Sequence, residues 1–219
     1  MSYRLAALGA ALQLGWIALA LALASALGSE AVALAALATP RVALFAAVCV
    51  GWAVAEVLAA RPGTSDPMPA GPGAGTDVAL ALATGLGLWL TLLVALLDAA
   101  RASLGASAAA GVALAAAGIV LRASALVTLG ARFVTAARIE RGQALATTGP
   151  YRWLGHPSEL GLVMAALGAA LVGASPRAAL CTLGLLVPPS LLRMRREDRV
   201  LARARAAARP TTPSEASHG

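Results

Sequence analysis

Long apolar stretches broken by short polar punctuation run through most of this chain, and a crossing helix needs about 20 apolar residues to traverse ~30 Å of hydrocarbon. Six such spans fit. The first is Leu5 to Leu27, whose eight Leu and one Ile outweigh the single Gln13, and a Gly28-Ser29-Glu30 turn follows it. The second is Val42 to Ala60, after a break or kink at Pro40-Arg41, with Ala31 to Thr39 as a helical lead-in. Arg61 to Asp77 holds four Pro and four Gly in seventeen residues, a composition expected to form a flexible aqueous linker and no helix. The third span is Val78 to Leu97 and the fourth Ala106 to Leu129, with Asp98 and Arg101 between them. Ala131 to Gly155 is too charged to cross and belongs on the membrane surface. A tight hairpin closes the bundle: the fifth span runs from Pro157 to Ser175 and the sixth from Arg177 to Leu192, where Pro188-Pro189 should break the helix and free carbonyls near Gly184 and Leu185.

The expected fold is therefore all-α, a polytopic membrane bundle of about six transmembrane helices. It divides into an N-terminal hairpin (1–62), a linker (63–77), a helical core (78–209) and a disordered tail (210–219). Composition agrees: 59% of residues are hydrophobic, 12% are charged, and mean hydropathy is +0.80. The first span extends well past the 7–15 residues of a secretory apolar core, so a retained helix is favoured over a cleaved leader. Cys49 and Cys181 sit in apolar runs and read as small core residues, not as a disulfide or a metal framework.

All seventeen basic residues are Arg, with a net charge of +7. Their placement between apolar spans makes them topology determinants and argues against nucleic-acid binding. With the N-terminus inside, thirteen Arg fall on the inner side and only Arg41, Arg101 and Arg177 outside, while Arg122 lies within a span. Both termini are thus expected in the cytoplasm, with a bacterial inner membrane as the location. Arg122 and Glu56 each either snorkel or line a cavity. The seven-residue spacings Gly111/Gly118 and Gly161/Gly168 arise by chance in so Ala-rich a chain and indicate only that helices can pack closely.

Chemical variety is concentrated in Thr147 to Gly161, TTGPYRWLGHPSELG, directly before an apolar helix. His156 precedes a helix whose first position is Pro157, and Glu159 lies in its first turn, where free backbone donors and the positive dipole end could hold an anionic group. The alternative is that His156 and Glu159 merely cap and solvate the helix end. A second polar group, RMRREDRVLARAR from Arg193 to Arg205, follows the sixth span. Its Glu197-Asp198 pair is either i,i+4 support for the Arg residues, as Glu197 with Arg193, or a carboxylate pair suited to a ribose or an ammonium group. The hairpin returns it to the membrane face that carries His156.

Together, GPYRWLGHPSELG, the step to Gly168, a helical hairpin, and R-x-x-x-E-D-x-x-L at Arg193, Glu197, Asp198 and Leu201 resemble the isoprenylcysteine carboxyl methyltransferase family and the related phospholipid methyltransferases. Their patterns run close to GPYR-x-x-RHP-x-Y-x-G and R-x-x-x-EE-x-x-L. The resemblance spans about Leu129 to Leu201. It implies an integral membrane methyltransferase that takes S-adenosylmethionine from the cytoplasm and a lipophilic acceptor (carboxyl, phenol, thiol or amine) from the bilayer. By position, Tyr151, His156, Glu159, Leu160, Gly161, Glu197 and Asp198 would bind the cofactor, and Arg193 and Glu197 would be catalytic, with no metal. The chain departs from the pattern at Gly155, where the family has Arg, at Glu159, where it has Tyr, and at Asp198, where it has Glu; ARARAAARPTTP replaces an aromatic C-terminal extension. These departures motivate the competing reading of a non-catalytic membrane protein that retains the fold.

Overall fold

The computed structural model describes residues 39–59, 74–129 and 148–208, and among these all regular structure is helical. The first expected span, the Glu30 turn, most of the Pro/Gly linker, residues 130–147 and the tail 210–219 lie outside the described residues.

Helix α1 spans Pro40–Ala59. Pro40 opens it and does not interrupt it, because the first helical position needs no amide donor. The Thr39 hydroxyl accepts from the Val42 amide at 3.3 Å, as a capping residue does. Helix α2 spans Ala74–Ala99, so the last four residues assigned to the linker form its first turn. Asp77 explains the early start: a carboxylate there meets the positive helix end and pairs with Arg196 at 2.9 Å. Helix α3, Ala106–Leu129, has the expected limits.

Helix α4, Pro157–Val172, stops three residues before the expected Ser175. The reason is that Ser175 caps the next helix, its hydroxyl accepting from the Ala178 amide at 2.9 Å. That helix, α5 (Pro176–Cys181), passes through a π-helical turn at Thr182–Leu186 and continues as α6, Val187–Ala208. The break expected at Pro188-Pro189 is therefore a widened turn inside a continuous helix. Prolines at 188 and 189 cannot donate to the carbonyls of residues 184 and 185. A wider turn, with the Val187 amide bonded back to Thr182, spares the rings a clash with those carbonyls. The helix also runs past Leu192, so Arg193 to Asp198 sit on a helical surface.

Three of these helices, Pro40–Ala59, Gly75–Ala99 and Ala106–Leu129, are long and apolar enough to cross a membrane, and Pro157–Val172 is a shorter apolar helix. Phe45 and Trp52 of α1, Leu92 and Ala95 of α2, and Ala165 and Ala169 of α4 share one core, closed by Leu186 from the π turn. The most extensive packing joins α3 to α4. Gly111 and Gly118 of α3 interlock with Gly168 and Gly161 of α4: a Cβ on Gly118 would lie 2.5 Å from the Ala165 amide nitrogen and 2.6 Å from the Gly161 carbonyl oxygen. The two seven-residue spacings are thus a packing seam and no accident of composition.

Polar groups collect at the two ends of the bundle. At one end Arg41 is buried and donates to the Val172 carbonyl at 2.9 Å, satisfying the C-terminus of α4. There too Asp98 accepts from the Ser175 hydroxyl at 2.6 Å and pairs with Arg177, and Arg101 donates to the Leu97 carbonyl. The three Arg residues assigned to the outer side therefore share one end. Cys49 and Cys181 are both free thiols.

Candidate functional site

At the opposite end the chain enters α4 through a 3-10 turn, Gly149–Arg152. Gly149 has φ +58°, a left-handed conformation that costs glycine little, and a Cβ there would stand 2.6 Å from the Thr128 hydroxyl at the end of α3. The Pro150 carbonyl accepts from the amides of both Trp153 and Leu154. This knot presents Tyr151 half-buried, and leaves Trp153 79% exposed with the Arg152 guanidinium over its ring.

His156 occupies the N-cap position of α4, yet its side chain makes no capping bond. It turns across to α6 instead: Nε2 lies 3.0 Å from Asp198 Oδ1 and Nδ1 lies 3.5 Å from Glu197 Oε2. The hydrogen bond to Glu197, and secondarily that to Asp198, raises the imidazole above its ordinary value of 6.5, against the opposing effect of burial. The two carboxylates thus favour its cationic form. Glu159, one turn into α4, pairs with Arg193 at 3.3 Å through Oε1, while its Oε2 is buried with no hydrogen-bond partner among the described residues. The Tyr151 phenol is pushed up to about 12, chiefly by burial and then by the nearby Glu197, with Arg122 pulling the other way, so it stays a neutral hydroxyl at physiological pH.

Of the residues expected at the site, Tyr151, His156, Glu159, Arg193, Glu197 and Asp198 are brought together. Leu160 is in the same turn but 42% exposed on its outer side. Gly161 faces α3, where a Cβ would meet the Gly118 carbonyl at 2.6 Å, so helix packing accounts for it. At the departure from the family pattern, Gly155 is exposed with open space around its Cβ position. Backbones of α4 and α6 stand apart here, and the gap is bridged by these long side chains.

Four further residues build the floor. Arg122 of α3 donates through Nε to Glu56 of α1, and through Nη1 to the Ser158 hydroxyl at 3.0 Å and carbonyl at 3.3 Å. The Trp52 indole donates to the same Glu56 carboxylate at 3.1 Å. The charge on Arg122 is felt by Tyr151. In the sequence each member of this pair reads as a lone charge near a helix end. The available signal was that both are opposite in sign and within two turns of the same side of the membrane.

A histidine, paired acids and a clamped helix start, drawn from segments some forty residues apart, form one polar site at the end of an apolar bundle. Residues 106–206 match the phospholipid methyltransferase family. This family is related to the isoprenylcysteine carboxyl methyltransferases. The phospholipid methyltransferase match takes in both halves of the pocket, α4 with its preceding turn and α6, and leaves α1 and α2 outside. The apolar helices and this family match point to a membrane methyltransferase. No curated protein and no solved structure matches the chain.

Proposed function

We propose that the protein is an S-adenosylmethionine-dependent methyltransferase of the membrane that modifies a small lipophilic acceptor bearing a carboxyl, phenol, thiol or amine. The observation that carries this reading is the contact of His156 with Asp198 and Glu197, which joins the two blocks of the family pattern into one site.

The residues present suit such a cofactor. The buried Oε2 of Glu159 has no hydrogen-bond donor among the described residues, and fits a cationic or hydrogen-donating group. Glu197 and Asp198 can accept from ribose hydroxyls or an ammonium, and His156 holds both carboxylates in place. Tyr151 completes the wall. S-adenosylmethionine, when bound, supplies a methyl group on a sulfonium. The protein's part is alignment in a site from which water is excluded. Arg193 is positioned to hold an acidic acceptor, and the Glu197 carboxylate can take the proton that a hydroxyl, thiol or amine gives up. The excess of Arg on the His156 side supports a cytoplasmic site, open to a soluble cofactor. The proposed catalytic unit is 78–209, with 1–62 as a membrane hairpin joined by the linker.

Calorimetric titration of the detergent-purified protein with S-adenosylhomocysteine should show binding, weakened by His156→Ala. Absence of binding by the wild type would overturn the proposal in favour of a non-catalytic protein retaining the fold, the reading that Gly155 and Glu159 motivate.

A further inference from the structure

Four carboxylates (Glu56, Glu159, Glu197 and Asp198) meet two guanidiniums (Arg122 and Arg193) and the imidazole of His156 in a series of ion pairs at this end of the bundle. Arg122 is engaged by Glu56, and Arg193 reaches Glu159. One imidazole is shared by two acids. With His156 protonated these seven groups carry one negative charge more than positive, but Glu197 and Asp198, 54% and 64% exposed, are screened by water. Arg152, Arg195 and Arg199 on this side are exposed and screened in the same way. Arg196 is committed to Asp77.

What screening leaves is one buried acceptor on Glu159. Glu159 keeps Oε1 on Arg193 and leaves Oε2 buried without a hydrogen bond among the described residues, although its side chain is only 12% exposed. A buried carboxylate oxygen left without a donor is costly unless a ligand completes it. The phenol that the family pattern carries at this position could not supply that charge.

We infer that Glu159 makes the pocket selective for a ligand of net positive charge, so that the protein binds the sulfonium methyl donor more tightly than the neutral thioether left after transfer. The inference rests on the cofactor proposed above. Its consequence is that the spent cofactor leaves readily, because loss of the methyl group removes the charge that Glu159 holds.

The test compares binding of S-adenosylhomocysteine with that of sinefungin, a cationic analogue with no transferable methyl, by calorimetry on the full chain in detergent. The wild type should favour sinefungin by about tenfold, the scale expected for one added charge contact at a protein surface. Glu159→Gln should bring the two affinities together chiefly by weakening sinefungin, in protein that still unfolds cooperatively. Equal affinities in the wild type, which need no variant, would overturn the inference, as would a preference that survives Glu159→Gln. In either case measurable S-adenosylhomocysteine binding leaves the methyltransferase reading standing, whereas binding of neither compound removes both.

Discussion

Arg122 on α3 and Glu56 on α1 form an ion pair across the floor of the site, and the same guanidinium holds the hydroxyl and carbonyl of Ser158 at the start of α4. Three helices are thereby tied at one point, one of them outside the segment that matches the family. Removing one partner leaves the other charge uncompensated and partly buried. Arg122→Ala is expected to cost about 3 kcal/mol, read as a lower unfolding temperature in detergent, and to weaken S-adenosylhomocysteine binding. The double replacement Glu56→Gln with Arg122→Met should cost clearly less than Arg122→Ala alone. Equal losses would mean that charge pairing is not what holds this point together.

The α3–α4 seam makes a sharper steric prediction. Gly118→Ala sets a methyl group against backbone atoms at 2.5 and 2.6 Å, atoms that cannot move aside without parting the helices. A loss of about 2 kcal/mol or more is expected. Gly51→Ala, on a helix face with nothing near its Cβ position, should leave the protein unchanged or stabilise it by up to about 1 kcal/mol through helix propensity. Thermal unfolding of the two variants side by side provides the check.

His156 should give stability a pH dependence of known sign. Its folded-state value is raised above 6.5 by Glu197 and Asp198, so the pairing contributes fully below about 6.5 and is lost as pH rises through the raised value. The ligand-free protein should therefore lose stability as pH climbs from about 6.5, and His156→Gln should flatten that part of the profile. An unchanged slope in the variant would assign the dependence to another group.

At the opposite end, position decides magnitude. The Arg177 side chain is 66% exposed and that of Asp98 only 14%. Arg177→Ala should barely move the unfolding temperature, since water screens an exposed pair. Asp98→Ala also strips the Ser175 hydroxyl of its acceptor at the α4–α5 turn, and should lower the unfolding temperature more.

Much of this molecule was legible in one dimension because a membrane helix announces itself by length and hydropathy. The limits of α3 agree with the sequence reading, and Tyr151, His156, Glu159, Arg193, Glu197 and Asp198 do converge. What escaped was relational. Glu56 and Arg122 lie in separate helices, and nothing local to either states that they meet. The Gly111/Gly118 and Gly161/Gly168 spacings carry meaning only once α3 and α4 are known to face each other. Asp77 was assigned to a linker because its partner, Arg196, is 119 residues away. Pro188-Pro189 marked the right place but the wrong outcome, since a proline pair can be absorbed by widening the preceding turn.

That widened turn, from Thr182 to Leu186, acts as a phase adjustment for everything after it. An α-helix advances by about 100° per residue, so one residue more or fewer in this stretch would swing Arg193, Glu197 and Asp198 about a quarter of the way round the helix, away from Glu159 and His156. Side chains there can vary wherever they do not pack, as the exposed Leu183 and Leu185 suggest. The number of residues cannot. Substitutions in this segment should be absorbed, while a single insertion or deletion, remote from every charged group of the pocket, would take it apart.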